Sequence, residues 1–460
     1  MKAEVMLINA PTVEIKEKHY EQPDMPRIGL AYLASFLRAS GKCCCVVDAK
    51  YDRLKQGDVI EIIKRKNPKI IGVTAMTTEL IDVADLVKKI KKICPKIITV
   101  IGGPHATALP KQTLEEFSVL DIACFGEGEQ TMNELIDALD SNKSLHNIPG
   151  IAYKGHSGSI EQNGPRPFLE NLDMLPSPAW DLFKPAKKYP VLGSRGCPFR
   201  CNFCMRVLGD HIRFRDPDLV VREMLNIYDR YKPFLFEFYD ETFGVNKEKT
   251  DRILDGLIKS ELNKKVKWHI QTRVDIVNQD LLFKMKMAGC EWVGFGIESG
   301  NEGILRCTNK NISKEKAKKA IEMAKKAGIS TGSFFILGHP DENRGTARDT
   351  IDFAMALNTD TVSFGIMTPY PGTDIARMAK NREGGYKLLS KNWSDYNKQT
   401  GNVLELQGLT NDELLRMQFI GYLKFYLLKP SITKIKNLLS FVDLFSIVKI
   451  FFKRIFKWKN

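Results

Sequence analysis

The chain has 460 residues, of which 43% are hydrophobic, and this is enough apolar side chain for two or three packed domains. Its ten cysteines are neither dense nor regularly paired, and its first residues have a charged strand pattern rather than that of a signal peptide, so we expect a reducing, cytoplasmic location. The net charge is +14, but the last thirty residues hold seven Lys and Arg against one acid, Asp443, so the remainder is too mildly basic to favour a nucleic-acid-binding protein.

Apolar runs alternate with amphipathic stretches in residues 1–140. The predicted strands are Val5–Ala10, Cys43–Asp48, Ile70–Met76, Ile97–Ile101 and Ile122–Phe125, and the predicted helices are Gly29–Ser40, Thr78–Ile93 and Gln130–Leu139. Continuous β-branched runs that alternate with helices are typical of an α/β fold with a doubly wound parallel sheet. The sequence therefore predicts an N-terminal Rossmann-like domain over residues 1–140.

Residues suited to ligand binding follow four of these strands: Asp48, Thr74–Thr78, Gly102–His105 and Gly126–Glu129. In open parallel sheets, ligands bind at the carboxyl ends of the strands, and paired glycines let the backbone approach a ligand closely. We therefore expect a ligand at this edge of the sheet. The consecutive cysteines at 43–45 lack metal-ligand spacing, and we interpret them as small core residues.

Three cysteines, Cys197, Cys201 and Cys204, have the spacing C-x3-C-x2-C directly after a short apolar run. This spacing lets one loop turn three thiolates toward a common centre. An iron–sulfur cubane normally takes four cysteine ligands, and no fourth cysteine lies nearby in the sequence, so three ligands would leave one iron open for catalysis. A zinc site completed by His211 and simple burial of the thiols are the alternatives.

Residues 189–375, which follow a predicted connector at 141–188, contain six predicted strand–helix units. The strands lie at 189–194, 234–239, 266–272, 292–297, 331–337 and 361–367. Six such units suit a partial (β/α)6 TIM barrel, in which functional residues gather at the C-terminal ends of the strands. Residues 376–460 are predicted to form a helical C-terminal region.

The ends of the barrel strands are unusually polar. Asp240 and Glu241 follow the second strand, Arg273 the third, Glu298 the fourth and Gly338 the fifth. Each of these residues alone is more simply a helix cap or a member of an ion pair. Because four successive strand ends carry such residues after a single cysteine loop, we favour a functional site.

The cysteine loop, with Phe203 just before its last cysteine, resembles the signature of the radical S-adenosylmethionine (SAM) enzymes. The resemblance implies that the three cysteines hold a [4Fe–4S] cluster whose open iron binds SAM, and that one electron splits SAM to release a 5′-deoxyadenosyl radical. A carboxylate at Asp240 or Glu241 would suit the SAM ammonium group, and Arg273 would suit its carboxylate. The SAM-binding residues that the resemblance implies are Phe203, Asp240, Glu241, Arg273, Glu298 and Gly338.

The N-terminal half resembles the cobalamin-binding domain that precedes many radical SAM cores, through Pro26–Ala34, Gly102–His105 and Gly126–Glu129. The D-x-H-x-x-G motif that supplies a histidine to cobalt is absent, because Asp48 is followed by Ala-Lys-Tyr-Asp. This absence fits a histidine-off binding mode, and it also leaves open a degenerate domain that binds nothing. We interpret His105 as an ordinary polar residue in a loop near the ligand, rather than as a residue with a chemical role of its own. The cobalamin contacts that the resemblance implies are Asp48, Thr74, Gly102, Gly103, His105, Gly126 and Glu127.

The segment Asn437–Lys457 has a wide apolar face, a polar face, and a basic end with Trp458 beside it. Asp443 in its centre argues against a membrane span, which needs about 20 mostly apolar residues. A basic amphipathic helix with a terminal Trp is typical of a helix that lies on an anionic membrane surface. The alternative is a helix docked on the protein or in a dimer.

These features predict a cobalamin-dependent radical SAM enzyme similar to the group that includes the anaerobic magnesium-protoporphyrin ester cyclases and hopanoid methylases. The predicted reaction is methylation, or oxidative or cyclising modification, of an unactivated carbon in an apolar or lipid-like small molecule. An electron donor such as ferredoxin or flavodoxin is expected, and no nucleic acid. The alternatives are an enzyme like the tRNA or protein methylthiotransferases, which would need further cluster cysteines in the N-terminal domain, and a non-enzymatic cobalamin or iron–sulfur sensor at the membrane.

Overall fold

The computed structural model of the chain describes residues 4–11, 23–155 and 158–427. The chain divides into two compact units. The first, called the sheet unit, comprises Met1–Cys197 and Met205–Pro233, and the second, called the barrel unit, comprises Pro198–Cys204 and Phe234–Asn460. The predicted amphipathic helix Asn437–Lys457 lies outside the described residues. The domain boundaries predicted at residues 140, 188 and 375 remain predictions.

Among its described residues, the sheet unit is built on a sheet of seven strands. These are β1 (Val5–Asn9), β2 (Cys44–Asp48), β3 (Ile70–Thr74), β4 (Ile98–Gly102), β5 (Ile122–Cys124), β6 (Ile151–Lys154) and β7 (Ile160–Gln162), in the spatial order β2-β1-β3-β4-β5-β6-β7. Strands β1 to β5 pair in parallel, as predicted, and all five residues of β1 are buried, which explains its unbroken apolar run. Strands β6 and β7 extend the sheet with antiparallel pairing, and β7 was not predicted because its residues are mostly polar.

The helices of the sheet unit are α1 (Ile28–Ala39), α2 (Gln56–Lys66), α3 (Leu80–Ile93), α4 (Pro104–Ala108), α5 (Pro110–Glu116), α6 (Gly128–Asp140) and α7 (Pro217–Tyr231). Short 3-10 turns lie at Thr77–Glu79, Leu172–Met174 and Trp180–Leu182. The sequence did not predict α2, α4 or α5. Helix α2 buries only Val59 and Ile63, so its apolar stripe is narrow, and α4 and α5 are too short to show a helical period.

Three further strands of the sheet unit lie near the cysteines in the sequence: β8 (Lys188–Val191), β9 (Ser194–Arg195) and β10 (Arg213–Phe214). Strands β9 and β10 form a two-residue antiparallel pair in which Arg195 lies opposite Arg213. This pair closes the base of the segment 196–212, which carries all three predicted cluster cysteines.

In the part of the barrel unit that the structure describes, five parallel strands lie in the spatial order β15-β14-β13-β12-β11. They are β11 (Leu235–Phe238), β12 (Lys267–Thr272), β13 (Cys290–Glu298), β14 (Ser330–Leu337) and β15 (Thr361–Ile366). The helices are α8 (Lys247–Lys259), α9 (Leu262–Lys265), α10 (Gln279–Met287), α11 (Glu302–Cys307), α12 (Lys314–Lys326), α13 (Arg344–Leu357), α14 (Asp374–Asn381) and α15 (Asn411–Leu427). Five of the six predicted strands correspond to β11–β15, whereas the first, predicted at 189–194, corresponds to β8, which belongs to the sheet unit.

Between α14 and α15 lies a small antiparallel pair that the sequence did not predict: β16 (Tyr386–Leu388) and β17 (Leu404–Leu406), with 3-10 turns at Glu383–Gly385 and Trp393–Asp395. Helix α15 packs on strand β15, where Gln418 Nε2 donates to the Phe364 carbonyl at 2.7 Å and the Tyr422 hydroxyl accepts from the Phe364 amide at 3.0 Å. This helix lies in the predicted helical C-terminal region. Among the helices that the structure describes, none combines the length and hydropathy that a membrane span requires.

Candidate functional site

The three cysteines differ in exposure. Cys197 is half-buried in the sheet unit, where its amide donates to the Gly209 carbonyl at 3.2 Å. In the barrel unit, Cys201 is buried and Cys204 is exposed, and the Cys204 amide donates to the Cys201 carbonyl at 3.2 Å. This turn brings the second and third cysteines together, and the convergence of all three thiolates on one centre remains a prediction.

The electrostatics of Cys201 favour a thiolate. A hydrogen bond from the Cys204 thiol, together with the positive charges of Lys310 and Arg273, lowers the pKa of Cys201 to about 7, although burial and Glu298 oppose this. The same hydrogen bond raises the pKa of Cys204. Iron binds the thiolate form of cysteine, so Cys201 and Cys204 are suited to be cluster ligands. Within the described ranges, no three His, Cys, Asp or Glu side chains are arranged to hold a single metal ion.

Arg273, at the end of β12, is held in a fixed orientation. Its Nε and Nη2 donate to the two carboxylate oxygens of Asp275, each at 2.9 Å, and its guanidinium lies 3.8 Å from the centre of the Phe199 ring. Nη2 also donates to the Lys310 carbonyl. The remaining nitrogen, Nη1, is buried and has no hydrogen-bond partner among the described residues. Arg273 thus makes a bidentate pair with Asp275, and Nη1 is left to meet one further acceptor.

Glu298, the last residue of β13, has a strained backbone, with a φ of +71° at a register shift between β13 and β14. A left-handed conformation costs a residue other than glycine about 1–3 kcal/mol, and such strain gathers at functional sites. The Glu298 carboxylate forms a buried ion pair with Lys310. A Cβ atom at Gly296 would stand 2.5 Å from Lys310 Nζ and 2.6 Å from Glu298 Oε1, so a side chain there would force this pair to shift.

The turn after β14 buries His339. Glu342 accepts hydrogen bonds from the amides of Gly338 and His339, and the Tyr386 hydroxyl donates to the Gly338 carbonyl at 2.9 Å. The His339 ring meets the Phe203 ring edge-on, with 6.0 Å between centres, and neither ring nitrogen has a hydrogen-bond partner in the part of the chain that the structure describes. Burial lowers the pKa of His339 to about 4, so the ring is neutral at pH 7.

Asp240 and Glu241 follow β11, as predicted, and they differ in exposure. Asp240 is buried, whereas Glu241 is exposed, and both make polar interactions. Which of them meets a ligand remains a prediction. Sequence reasoning assigned no role to Lys310 or to His339, because Lys310 lies in a loop without a motif.

At the carboxyl edge of the sheet unit, Asp48 is fully engaged by its own surroundings. Its carboxylate accepts from Asn9 Nδ2 at 2.7 Å, from the Arg27 amide at 2.8 Å and from the Tyr51 amide at 3.3 Å. Asn9, the last residue of β1, was not predicted as a site residue. Its Oδ1 is buried and has no hydrogen-bond partner within the described segments.

The glycines of this edge divide into two kinds. A side chain at Gly103 would meet the Ala75 carbonyl and the Thr74 hydroxyl, both at 2.8 Å, so the approach of neighbouring loops requires that glycine. Gly126 also has a positive φ, of +79°, but no described atom lies within 4 Å of the position of its missing Cβ, and Gly102 has only one, a carbonyl oxygen at 4.0 Å. Gly102 and Gly126 therefore leave open space for a ligand.

The prediction that His105 is a polar residue in a loop is wrong, because the residue lies elsewhere. It lies in α4, its ring is buried, and Nδ1 is 3.3 Å from the Thr77 hydroxyl. Burial lowers the pKa of His105 to about 4, so its ring is neutral.

Glu127 lies in a cluster of buried charges. Its carboxylate contacts Arg195 at 2.9 Å and Arg213 at 2.8 Å, and it accepts from the Leu169 amide at 2.7 Å. Burial raises the pKa of Glu127, but the two arginines outweigh this effect, so its pKa lies below the usual value and the carboxylate is charged.

Comparison with known proteins assigns these two regions to families. The sequence model of the B12 binding domain matches residues 22–136, and that of the radical SAM superfamily matches residues 191–354. An uncharacterised methyltransferase of Pyrococcus horikoshii is 35% identical over 437 residues, which cover 93% of this chain and 93% of the relative. The chain belongs to the cobalamin-binding radical SAM enzymes.

Two further proteins support this assignment. The anaerobic magnesium-protoporphyrin IX monomethyl ester cyclase of Rubrivivax gelatinosus is 31% identical over 420 residues, which are 88% of this chain and 74% of that protein. The structure of the radical SAM methyltransferase TsrM from Kitasatospora setae, with cobalamin and a [4Fe–4S] cluster bound, superposes with a TM-score of 0.75 at 16% identity and covers 92% of this chain and 91% of that one. Likeness at this low identity shows the fold, and it confirms the predicted Rossmann-like sheet followed by a partial barrel.

As a cobalamin-binding radical SAM enzyme, the protein uses a [4Fe–4S] cluster, SAM and cobalamin, acts on a small molecule and takes electrons from a reductant. The residues present fit these groups. In the barrel unit, the Cys201–Cys204 thiol pair suits iron, and Arg273 Nη1 and the His339 ring are buried donors with capacity for a polar ligand. In the sheet unit, Gly102, Gly126 and Asn9 leave space and one free acceptor for cobalamin.

Proposed function

We propose that this enzyme transfers a methyl group to an unactivated carbon atom of an apolar small molecule. The observation that carries the proposal is the full-length match to a methyltransferase, which covers 93% of both chains, combined with the buried polar atoms around the cysteine turn. Bound cobalamin supplies a transferable methyl group, and SAM on the cluster supplies a hydrogen-abstracting 5′-deoxyadenosyl radical.

The residues of the barrel unit would orient SAM. Arg273 would donate from Nη1 to the SAM carboxylate, since Asp275 and Phe199 already fix the plane of its guanidinium. Glu298, whose carboxylate is paired with Lys310, would accept from the amine or the ribose hydroxyls. Phe203 and Gly338 would lie against SAM, and Asp240 or Glu241 would meet its ammonium group. Cys197, Cys201 and Cys204 would bind the cluster.

The sheet unit would hold cobalamin mainly through its backbone. Gly102 and Gly126 would allow close approach, and Thr74 and His105 would line the same edge beside Gly103. Asp48 would shape this edge through Asn9 and Arg27, to which it is already bound. Because the sequence lacks the D-x-H-x-x-G motif, cobalt would receive no histidine from it.

The substrate, the electron donor and the membrane contact are further parts of the proposal. The apolar face of Asn437–Lys457 supports a lipid-like substrate and peripheral association of the C-terminal tail with the inner membrane face. A ferredoxin or flavodoxin would supply the single electron.

Oxidative cyclisation is the second candidate, because the match to the cyclase covers 88% of this chain at 31% identity. The two reactions differ in their by-products. Cobalamin-dependent methylation consumes SAM in two ways, to S-adenosylhomocysteine and to 5′-deoxyadenosine, whereas cyclisation driven by the radical alone gives no S-adenosylhomocysteine.

The experiment is anaerobic reconstitution of the full chain with iron, sulfide and hydroxocobalamin, followed by gel filtration and incubation with SAM and a reductant. We expect about one retained cobalamin per chain, and both S-adenosylhomocysteine and 5′-deoxyadenosine. Formation of 5′-deoxyadenosine without S-adenosylhomocysteine would reject methyl transfer and favour cyclisation. Failure to form 5′-deoxyadenosine with an intact cluster would reject both.

A further inference from the structure

We infer that Glu127 and Glu129, with Arg195 and Arg213, form a buried clamp that positions the cysteine-bearing segment, and that Glu127 does not bind cobalamin through its side chain. We call these four residues the Arg–Glu clamp. The inference rests on the proposed role of Cys197, Cys201 and Cys204 as cluster ligands. All four clamp residues belong to the sheet unit.

The contacts of the clamp are short and buried. Arg195 donates from Nη1 to Glu127 Oε1 at 2.9 Å and from Nη2 to Glu129 Oε1 at 2.7 Å. Arg213 donates from Nη1 to Glu127 Oε2 at 2.8 Å. All four residues are at most 9% exposed. Buried charges persist only when they are paired, and removing one partner from such a set is strongly destabilising.

The register of the short strand pair explains why a carboxylate is needed. Arg195 lies directly opposite Arg213 in the β9–β10 pair, and like charges in opposite positions repel. A pair of two-residue strands is also too short to be stable alone. Glu127 offers one carboxylate oxygen to each arginine, and it thereby turns a repulsive pair into a bridged one.

The clamp acts on both ends of the segment 196–212. Arg195 precedes Cys197 by two residues. At the other end, Arg213 donates from Nη2 to the Leu208 carbonyl at 2.9 Å and lies 4.8 Å from the centre of the Phe168 ring. The neighbouring Gly209 carbonyl accepts from the Cys197 amide. The clamp is thus connected to Cys197 through both arms of the segment.

The side chain of Glu127 has little capacity left for a cofactor. A carboxylate accepts about four hydrogen bonds. Those of Glu127 include three within the protein, from Arg195, Arg213 and the Leu169 amide. Contact of its oxygens with cobalamin would need the loss of a buried charged partner. The neighbouring Gly126, with open space at its Cβ position, is the part of this turn that suits the cofactor.

The test is the Glu127→Gln variant of the full chain, reconstituted anaerobically beside the wild type. The readouts are cobalamin per chain, iron per chain, and the electron paramagnetic resonance spectrum of the reduced cluster with and without SAM. The matched control is Glu134→Gln, which removes an exposed partner of Arg166 from the same helix, α6. We expect E127Q to retain cobalamin at the wild-type level, to lose iron or the SAM-induced spectral change, and to form 5′-deoxyadenosine about tenfold more slowly or less. E134Q should match the wild type.

Loss of cobalamin from E127Q with an unchanged cluster spectrum would overturn the inference, as would a variant equal to the wild type in every readout. If E127Q does not fold, Glu129→Gln, which removes one of the two partners of Arg195, is measured instead. A smaller but selective effect on the cluster supports the clamp, and an unchanged cluster overturns it. Absence of a cluster from the wild type itself would reject the proposed function rather than the clamp.

Discussion

Polar residues follow the parallel strands in both units, but the two sets use their hydrogen-bonding groups differently. In the sheet unit, Asp48 and Glu127 each accept three hydrogen bonds from neighbouring protein groups. In the barrel unit, Arg273 keeps one buried nitrogen without a partner, and His339 keeps two, among the residues that the structure describes. Acids at the sheet edge brace the fold, whereas donors at the barrel edge retain capacity for a ligand.

The difference teaches that position at a strand end is not enough to identify a ligand-binding residue. Buried polar groups in native proteins are nearly always paired, so unused capacity at a predicted site is the more specific sign. By this criterion Asn9 Oδ1, which has no hydrogen-bond partner among the described residues, is the better candidate for a cofactor contact at the sheet edge, together with the open space at Gly102 and Gly126.

The largest expected effect is the loss of radical formation without any loss of cobalamin binding. Cys201→Ala would remove one of the three proposed cluster ligands, a buried thiol, so we expect no detectable 5′-deoxyadenosine, while cobalamin retention by the sheet unit stays at the wild-type level. Product is measured by chromatography after reconstitution with SAM and a reductant. Cys307→Ala, at an exposed cysteine of the same unit, is the control and should keep full activity. Product from the C201A variant would disprove the cluster assignment.

A smaller effect is expected when the donor with unused capacity is changed. Arg273→Lys loses the bidentate pair with Asp275 and the stacking on Phe199, because an ammonium group has neither the fork nor the plane of a guanidinium. One lost charged hydrogen bond corresponds to a roughly 10- to 100-fold slower cleavage of SAM at low SAM concentration. Arg306→Lys, on the exposed side of α11, is the control. Equal rates for R273K and R306K would remove Arg273 from the site.

Next in size is a pH effect from Glu342, which braces the turn after β14. Burial raises the pKa of Glu342 to about 7, so the folded protein holds this proton more tightly than the unfolded chain does. The resulting stabilisation is complete below the ordinary carboxyl pKa of about 4.5 and is lost as the pH rises through about 7. We expect the stability difference between wild type and Glu342→Gln to change by about 2 kcal/mol between pH 5 and pH 8.

Thermal unfolding midpoints of the two proteins across this pH range measure the effect. His339 contributes in the opposite direction, since burial lowers its pKa to about 4 and its contribution is lost as the pH falls below about 6.5, but it is present in both proteins. If the midpoints of the wild type and of Glu342→Gln shift by the same amount as the pH changes, Glu342 does not carry a tightly held proton.

The smallest expected effect compares two glycines of the sheet edge. Both have a positive φ, so either alanine variant loses about 1 kcal/mol of stability. Gly103→Ala loses roughly 1 kcal/mol more, because its methyl group would press on the Ala75 carbonyl. Gly126→Ala places its methyl group in the open space proposed for the cofactor, so we expect this variant to retain less cobalamin. We also expect its thermal unfolding midpoint to be higher than that of G103A. Normal retention by G126A would place the cofactor elsewhere.

Sequence reasoning succeeded where a pattern has a direct physical consequence. The apolar runs of β1 to β5 predicted a parallel sheet, since strands buried on both faces must be continuously apolar. It missed β7, which is mostly polar, and α2, whose apolar stripe is narrow. The spacing of the three cysteines predicts a cluster loop, because such a loop is a local feature, but no local pattern links Lys310 to Glu298 or Phe203 to His339.

The sequence by itself determined the two-part α/β architecture, the cysteine loop and the family, because these depend on local periodicity and on motifs that are short in the chain. The tertiary structure alone decided how the polar residues are used. It pairs Glu298 with Lys310, joins Glu127 to Arg195 and Arg213, and leaves Arg273 Nη1 without a partner among the described residues. The physical reason is that the state of a buried polar group is set by neighbours that are distant in sequence, which no local pattern records.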